Sequence, residues 1–322
     1  MTNQLNIGII GGAGYTGGEL LRILLQHPSV NIVFVHSKSQ AGKPVYNTHH
    51  DLLGETELTF TDRLDIPADV LFLCMGHGES KVFLSENQFS PDVKIIDLSQ
   101  DFRDESNGFV YGLPELQREK IKRAHKIANP GCFATCIELA LLPLAKEKQL
   151  NEAVHISAIT GSTGAGQSLN ATSHYSWRNG NISVYKAFTH QHLKEIRMSL
   201  GKLQTSYSGK INFIPYRGSF TRGIFASCYT TTDLTLSQAQ ELYKDYYKNH
   251  PFTHISSDPV DVKRVVNTNK CFLYLEKVED QLLITSVIDN LTKGASGQAV
   301  QNMNLITGIP ETAGLALKPV FF

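Results

Sequence analysis

Apolar residues follow two regimes along the chain. In the first half, short unbroken apolar runs alternate with stretches of helical periodicity. Residues 5–10, 31–35, 70–75 and 93–98 are the runs. Between them, residues 18–26 carry Leu20, Leu21, Leu24 and Leu25 and stop near Pro28, and 79–86 repeat the helical pattern. Strands without alternation are buried on both faces, which predicts βαβ units around a parallel sheet. After about residue 150 the pattern changes. Residues 151–160, 211–215, 223–232, 272–278 and 282–288 look like strands, the later ones alternating, with helices near 190–203 and 237–248. That predicts a mixed sheet in a second domain. The expected fold class is α/β: a Rossmann-type parallel-sheet dinucleotide-binding domain followed by an α+β domain, the first over residues 1–150 and the second over about 151–299. From 293 to 305 a Gly-Ala-Ser-Gly segment leads into a last helical pattern.

Composition changes this picture little. The 322 residues suffice for two cored domains, and 41% apolar with 19% charged is ordinary for a globular protein. Thirty basic and thirty acidic residues cancel, which argues against broad binding of nucleic acid or anionic membrane. No apolar run approaches the ~20 residues of a membrane span, and the first residues lack signal-peptide features, so the cytoplasm is expected. Five cysteines (74, 132, 136, 228, 271) show neither disulfide-like nor zinc-like spacing, as expected of free thiols in a reducing compartment.

Chemistry enters at three places. Gly12-Ala13-Gly14-Tyr15-Thr16-Gly17 fits GxGxxG directly after the first strand and at the start of a helix. There glycines permit a tight turn and let backbone approach a pyrophosphate. The segment after the second strand, His36-Ser37-Lys38-Ser39, has no carboxylate for a ribose 2′-hydroxyl. Its hydroxyls and cation suit a 2′-phosphate, which favours NADP over NAD. The second place is Cys132. Asn129-Pro130-Gly131 is a turn and residues 133–142 are strongly helix-forming, so the thiol sits at a helix start, where the macrodipole favours a thiolate. A nucleophilic thiol with a nicotinamide cofactor suggests acyl transfer coupled to hydride transfer. Cys136, one turn later, and Cys74, Cys228 and Cys271, in strand-like runs, are expected in the core. The third is His190-Gln191-His192, where one imidazole is a candidate acid/base. A metal pair is the rival reading, but no further ligands follow at recognisable spacing, and none is assigned. The loop Gly161-Ser162-Thr163-Gly164-Ala165-Gly166 follows a strand and could offer N–H groups to a substrate phosphate. Arg217 and Arg222 could meet substrate anions, and His49-His50 reads as loop without a role.

These motifs in order, with Asp97-Leu98-Ser99-Gln100-Asp101-Phe102-Arg103, Tyr111-Gly112-Leu113-Pro114-Glu115, Arg222-Gly223-Ile224, and Asp289-Asn290-Leu291 leading to Lys293-Gly294-Ala295-Ser296-Gly297, run through essentially the whole chain. The set resembles the N-acetyl-γ-glutamyl-phosphate reductases, the arginine-pathway branch of the aspartate-semialdehyde dehydrogenase-like enzymes. The resemblance implies a thioester on Cys132, reduction by NADPH to an aldehyde, and a catalytic histidine at His192, with His190 as the fallback. It implies cofactor contacts from Gly12, Gly14, Tyr15, Thr16, Gly17, Ser37, Ser39 and Asn290, and the substrate set becomes Ser162, Gly164 and Arg222. It further implies that residues from about 300 to 322 return to the NADP-binding domain and that the enzyme is a homo-oligomer, a dimer or tetramer. Two departures stand out. Gln191 and Lys194 interrupt the family's His-Arg-His-x-Pro-Glu-Ile, and Thr163 and Gln167 its Gly-x-Ser-Gly-Ala-Gly-Arg. Two arginines thus become amides, which opens the N-acyl group to succinyl as well as acetyl, with Arg217 a candidate replacement charge. Another acyl phosphate, such as β-aspartyl phosphate, and a non-catalytic NADP-binding regulator are the competing readings.

Overall fold

The computed structural model describes residues 4–321. The chain forms two compact units, 1–130 with 295–316, and 131–294 with 317–322. The first unit opens with β1 (Leu5–Ile10), α1 (Tyr15–Leu24), β2 (Val30–His36), β3 (Phe60–Thr61), β4 (Val70–Leu73) and α2 (Glu79–Glu86). It continues with β5 (Lys94–Asp97), β6 (Val110–Tyr111), α3 (Pro114–Lys122) and β7 (Lys126–Ala128). Its seven strands lie in the order β3-β2-β1-β4-β5-β7-β6, and every pair is parallel. Ile7, Ile9, Ile10, Val70, Phe72 and Leu73 are wholly buried, as a doubly covered sheet requires. Strand order reverses at β1, between β2 and β4. A ligand crevice therefore opens at the carboxyl ends of β1 and β4.

The second unit begins with α4 (Cys132–Lys146), β8 (Val154–Thr160), α5 (Tyr175–Arg178), β9 (Ser183–Val184), α6 (His192–Leu203) and β10 (Ile211–Arg217). β11 (Ile224–Thr231), α7 (Leu236–Tyr247), β12 (Thr253–Ile255), β13 (Cys271–Val278) and β14 (Gln281–Ile288) complete it. The order is β12-β13-β14-β11-β8-β10-β9, with parallel pairs at β12/β13 and β8/β10 and antiparallel pairs elsewhere. One face buries Ile156, Ala158, Ala226, Cys228, Leu273 and Ile284 against α4 and α7. Part of the opposite face is covered where Val260 and Val265 pack with Phe225, Val287, Phe272 and Tyr274. The rest leaves Tyr229 exposed, stacked on His155 at 4.9 Å. A π-helical turn (Thr292–Ser296) then leads into α8 (Gly297–Thr307), which packs on α1 and α3 of the first unit.

The division differs from the one expected. It falls at Pro130/Gly131, not near 150, because α4 packs on the second sheet through β11, β13 and β14. At the other end the first unit takes back 295–316, while 317–322 remain with the second. There Asn267 Nδ2 donates to the Lys318 carbonyl. The helix expected from the strongly helix-forming residues 133–142 runs on to Lys146 through Pro143. Proline cannot donate to the Leu139 carbonyl one turn back. That carbonyl instead accepts from Tyr247 Oη at 2.6 Å, and the Ala140 carbonyl accepts from Tyr243 Oη at 2.5 Å.

Candidate active site

In the first unit the glycine loop is built by distinct constraints. The N–H groups of Gly11 and Gly12 both donate to the His36 carbonyl, at 3.1 and 3.0 Å, which ties the loop to the end of β2. Gly11 has φ +75°, and a Cβ there would lie 2.8 Å from the Cys74 carbonyl oxygen. A Cβ on Gly17 would lie 2.4 Å from the Gly12 carbonyl oxygen, so helix and loop need glycine there. Gly14 differs. Its φ is −82°, and a Cβ would meet nothing nearer than the Gly11 carbonyl oxygen at 3.9 Å. No contact within the protein forbids a side chain at Gly14, but a dinucleotide lying against the start of α1 would. The residues thus fit a dinucleotide. At the end of β2, His36 is buried with neither ring nitrogen hydrogen-bonded. Desolvation and Lys38 push its pKa down, against a smaller opposing effect of Asp62. Ser37 Oγ lies 3.5 Å from the Oγ of exposed Ser39. Tyr15 is exposed and Thr16 half-buried, and the Thr16 carbonyl accepts from Ser296 Oγ.

His49, assigned no role from sequence, supports this loop. Its buried Nε2 lies 2.8 Å from the Gly12 carbonyl oxygen, and a Cβ on Gly18 would collide with its ring. Arg22 pairs with Glu19 and Asp51 beside it. Below, the Asp97–Arg103 motif is a buried framework. The Asp97 carboxylate accepts from Ser80 Oγ, Ser99 Oγ and the Ser99 N–H, while Arg103 Nε donates to the Asn129 carbonyl. The Asn129 N–H donates to the Asp97 carbonyl, its Nδ2 to the Ala295 carbonyl, and its Oδ1 accepts from Asn302 Nδ2. The residue that starts the Asn129-Pro130-Gly131 turn is therefore fixed from four directions.

In the second unit Cys132 is the first residue of α4, a half-buried thiol outside any disulfide. Gly131 caps the helix in extended conformation (φ −72°, ψ 151°), and its carbonyl accepts the Thr135 N–H at 2.8 Å. N–H groups of the first turn have no carbonyl one turn earlier, and the dipole's positive end lies there. The Gly131 N–H donates to Glu195 Oε2 at 2.8 Å, and Glu195 Oε1 lies 3.9 Å from His192 Nε2. One buried carboxylate thus touches the turn before the thiol and faces an imidazole. Glu195 went unremarked in sequence, although His192 and Glu195 at i, i+3 on a helix share a face. Gly294 completes the wall, since a Cβ there would lie 2.8 Å from Cys132 Cβ.

The two histidines separate by environment. Their rings are 4.6 Å apart, and His190 Nδ1 accepts the His192 backbone N–H at 3.3 Å. Burial first, then His192, Lys186 and Arg217, push the His190 pKa down to about 3. His190 is thus a neutral packing and acceptor group at physiological pH. Among the described residues no three His, Cys, Asp or Glu side chains are placed to hold a metal ion.

Residues 6–124 match the semialdehyde dehydrogenase NAD binding domain, and 132–290 the semialdehyde dehydrogenase dimerisation domain. The chain is 58% identical to the N-acetyl-gamma-glutamyl-phosphate reductase of Christiangramia forsetii over 99% of its own length and all of that relative. It is 56% identical to that of Bacteroides thetaiotaomicron, again over 99% of this chain and all of the relative. The chain belongs to the N-acetyl-γ-glutamyl-phosphate reductase family. Aspartate semialdehyde dehydrogenase II from Vibrio cholerae shares its fold, with a TM-score of 0.75 at 17% identity over 95% of this chain and 99% of that one.

In this member of the reductase family several of the expected residues are held by hydrogen bonds within the protein. Arg222 does not face a substrate unencumbered: its Nε and Nη2 bind the fully buried Asp289 carboxylate at 3.0 and 2.9 Å, and Nη2 also donates to Thr292 Oγ1. Asn290, expected beside nicotinamide, lies in the second unit with its amide engaged. Its Oδ1 accepts the Gly223 N–H at 2.7 Å and its Nδ2 donates to Thr163 Oγ1 at 3.0 Å. The 161–166 loop is no open anion nest. It folds as a 3₁₀ turn, and the N–H groups of Gly161, Ser162, Thr163, Gly164 and Gly166 all donate within the protein. Ser162 can still offer its hydroxyl. Cys136, Cys228 and Cys271 are buried as expected, but Cys74 is only half-buried just past β4. Burial of its sulfur nevertheless raises its pKa to about 12, so it is no competing thiolate.

Proposed function

We propose that this chain reduces an N-acyl-γ-glutamyl phosphate with NADPH to the N-acyl-glutamate 5-semialdehyde and phosphate, in arginine biosynthesis. The observation that carries the reading is Cys132 opening α4, with one carboxylate, Glu195, binding the preceding Gly131 N–H and facing His192. The Cys132 sulfur attacks the acyl carbon, the carbon–oxygen bond to phosphate breaks, and a thioester remains. The bound reduced nicotinamide supplies hydride. Collapse of the resulting thiohemiacetal returns the sulfur and releases the aldehyde. His192 is the acid/base, since burial keeps the His190 imidazole from taking up a second ring proton near neutral pH. Gly12, Gly14, Tyr15, Thr16 and Gly17 hold the pyrophosphate, while Ser37, Lys38 and Ser39 receive the 2′-phosphate.

The protein works in the cytoplasm as a homo-oligomer. Support for self-association is the dimerisation-domain match and the open part of the second sheet around Tyr229. No helix among the described residues is long and apolar enough to cross a membrane.

The test runs the reaction backwards: N-acetyl-glutamate semialdehyde, phosphate and NADP, followed by absorbance of the reduced cofactor. Phosphate-dependent reduction is expected, with NADP preferred to NAD. Cys132→Ser should abolish it while NADPH still binds. Turnover of β-aspartate semialdehyde in place of the glutamate compound would assign the chain to a sister reaction, and a Ser variant of near-normal rate would remove Cys132 as nucleophile.

A further inference from the structure

The substrate proposed above carries an α-carboxylate beside its acyl phosphate, yet Arg222 is spent on Asp289, and amides occupy 191 and 167. A cation is nonetheless present. Arg217 ends β10, with its guanidinium 4.7 Å from the Tyr185 ring centroid and its Nε buried without a hydrogen-bond partner. Tyr185 meets His190 edge-on at 5.7 Å, and His190 lies against Phe133, the residue after Cys132, at 5.5 Å. Burial pushes the Tyr185 phenol up to about 12, with Arg217, which also hydrogen-bonds it, opposing the rise and Cys132 adding to it. A second guanidinium backs the first. Arg178 is buried and donates to the Thr172 carbonyl, the Arg217 carbonyl and Ser183 Oγ, all of them uncharged. Among the described residues no carboxylate ion-pairs with Arg178 or Arg217. Adjacent guanidiniums without a counter-ion repel and are poorly solvated, which an incoming anion relieves.

We infer that Arg217, backed by Arg178, is the carboxylate-recognising residue of the substrate pocket beside Cys132, in place of the two arginines that are glutamines here. The inference deepens the proposed function and rests on it. A guanidinium whose Nε has no partner within the protein can take a planar carboxylate through two parallel hydrogen bonds. The phosphate is the poorer candidate, because it sits on the very carbon that meets sulfur, whereas Arg217 lies beyond Tyr185 and His190. A carboxylate farther along the molecule reaches it. Two sources share this chemistry: the α-carboxylate, and the terminal carboxylate of a dicarboxylic N-acyl group such as succinyl.

The experiment measures phosphate-dependent NADP reduction by wild type, Arg217→Gln and Arg217→Lys. It uses N-acetyl-glutamate semialdehyde, N-succinyl-glutamate semialdehyde and 4-acetamidobutanal, which has no carboxylate. Arg217→Gln should raise KM for a carboxylate substrate at least tenfold, with kcat changed far less and NADP affinity and melting temperature held. Arg217→Lys should recover part of the loss, and 4-acetamidobutanal should be indifferent to both changes. Loss confined to the succinyl compound assigns Arg217 to the acyl terminus; loss with both acylated substrates assigns it to the α-carboxylate. Equal loss with all three aldehydes, or no loss with any, overturns the inference. If Arg217→Gln does not fold, an unchanged KM in Arg217→Lys, which keeps charge but not the planar fork, overturns it equally. Wild type that oxidises none of the three refutes the proposed function itself, a result distinct from an active enzyme indifferent to residue 217.

Discussion

Two histidines two residues apart show how environment assigns roles. His190 is enclosed by Phe133, Tyr185, Phe213 and His192, and its pKa falls from 6.5 to about 3. Between those pH values the unfolded chain takes up a proton that the folded chain refuses, so stability falls as pH is lowered through that window. His190→Gln should flatten the pH dependence of the urea midpoint between pH 6.5 and 4; an unaltered slope would show that other groups set the acid sensitivity. His192, the proposed acid/base, faces Glu195, with Nε2 3.9 Å from Glu195 Oε1. His192→Asn should lower kcat by about 10²–10⁴ with NADPH affinity intact, which steady-state rates and cofactor titration together check. The place of Cys132 at a helix start was legible from turn chemistry and the His190/His192 pair from residue type, while the choice of His192 came from the family resemblance. Glu195, Arg178 and Tyr185 were not: only the folded chain brings residues 131 and 195, or 178 and 217, into contact.

Among the elements, the glycine loop separates packing from binding. Gly17→Ala pushes a methyl into the Gly12 backbone and should cost about 1–3 kcal/mol in thermal or denaturant unfolding. Gly14→Ala meets open space, so its melting curve should stay near wild type while the Kd for NADPH rises tenfold or more. A parallel loss of stability at Gly14 would mean that the loop, not a ligand, requires glycine there. Tyr247→Phe strands the Leu139 carbonyl that Pro143 leaves without a helical donor, and should cost about 1–3 kcal/mol by urea unfolding. The long strands and helices were readable from periodicity because each buries a continuous face. The two-residue strands β3, β6 and β9 were not, since so short a segment has no period. The run of α4 past residue 142 was not readable for a related reason: the hydroxyl that tolerates its proline lies more than a hundred positions away in sequence.

For the molecule as a whole, the proposed self-association through the open part of the second sheet makes a direct prediction. Tyr229→Glu should shift sedimentation toward the monomer, and an unshifted profile would move the contact elsewhere. The parallel and mixed sheets were anticipated from the change of pattern along the chain, whereas the point of division was not, because α4 is apolar on nearly every side and could have served either sheet. The late return of α8 bears on biosynthesis. Gln298, Gln301, Asn302 and Asn304 are fully buried, with Asn302 Nδ2 donating to the Gly112 carbonyl and Asn304 Nδ2 to the Ala313 carbonyl. A ribosome that has released only residues 1–130 has emitted every strand of the parallel sheet, but not the helix whose amides close its polar seams. Residues 1–130 must therefore wait, incompletely sealed, until α8 emerges.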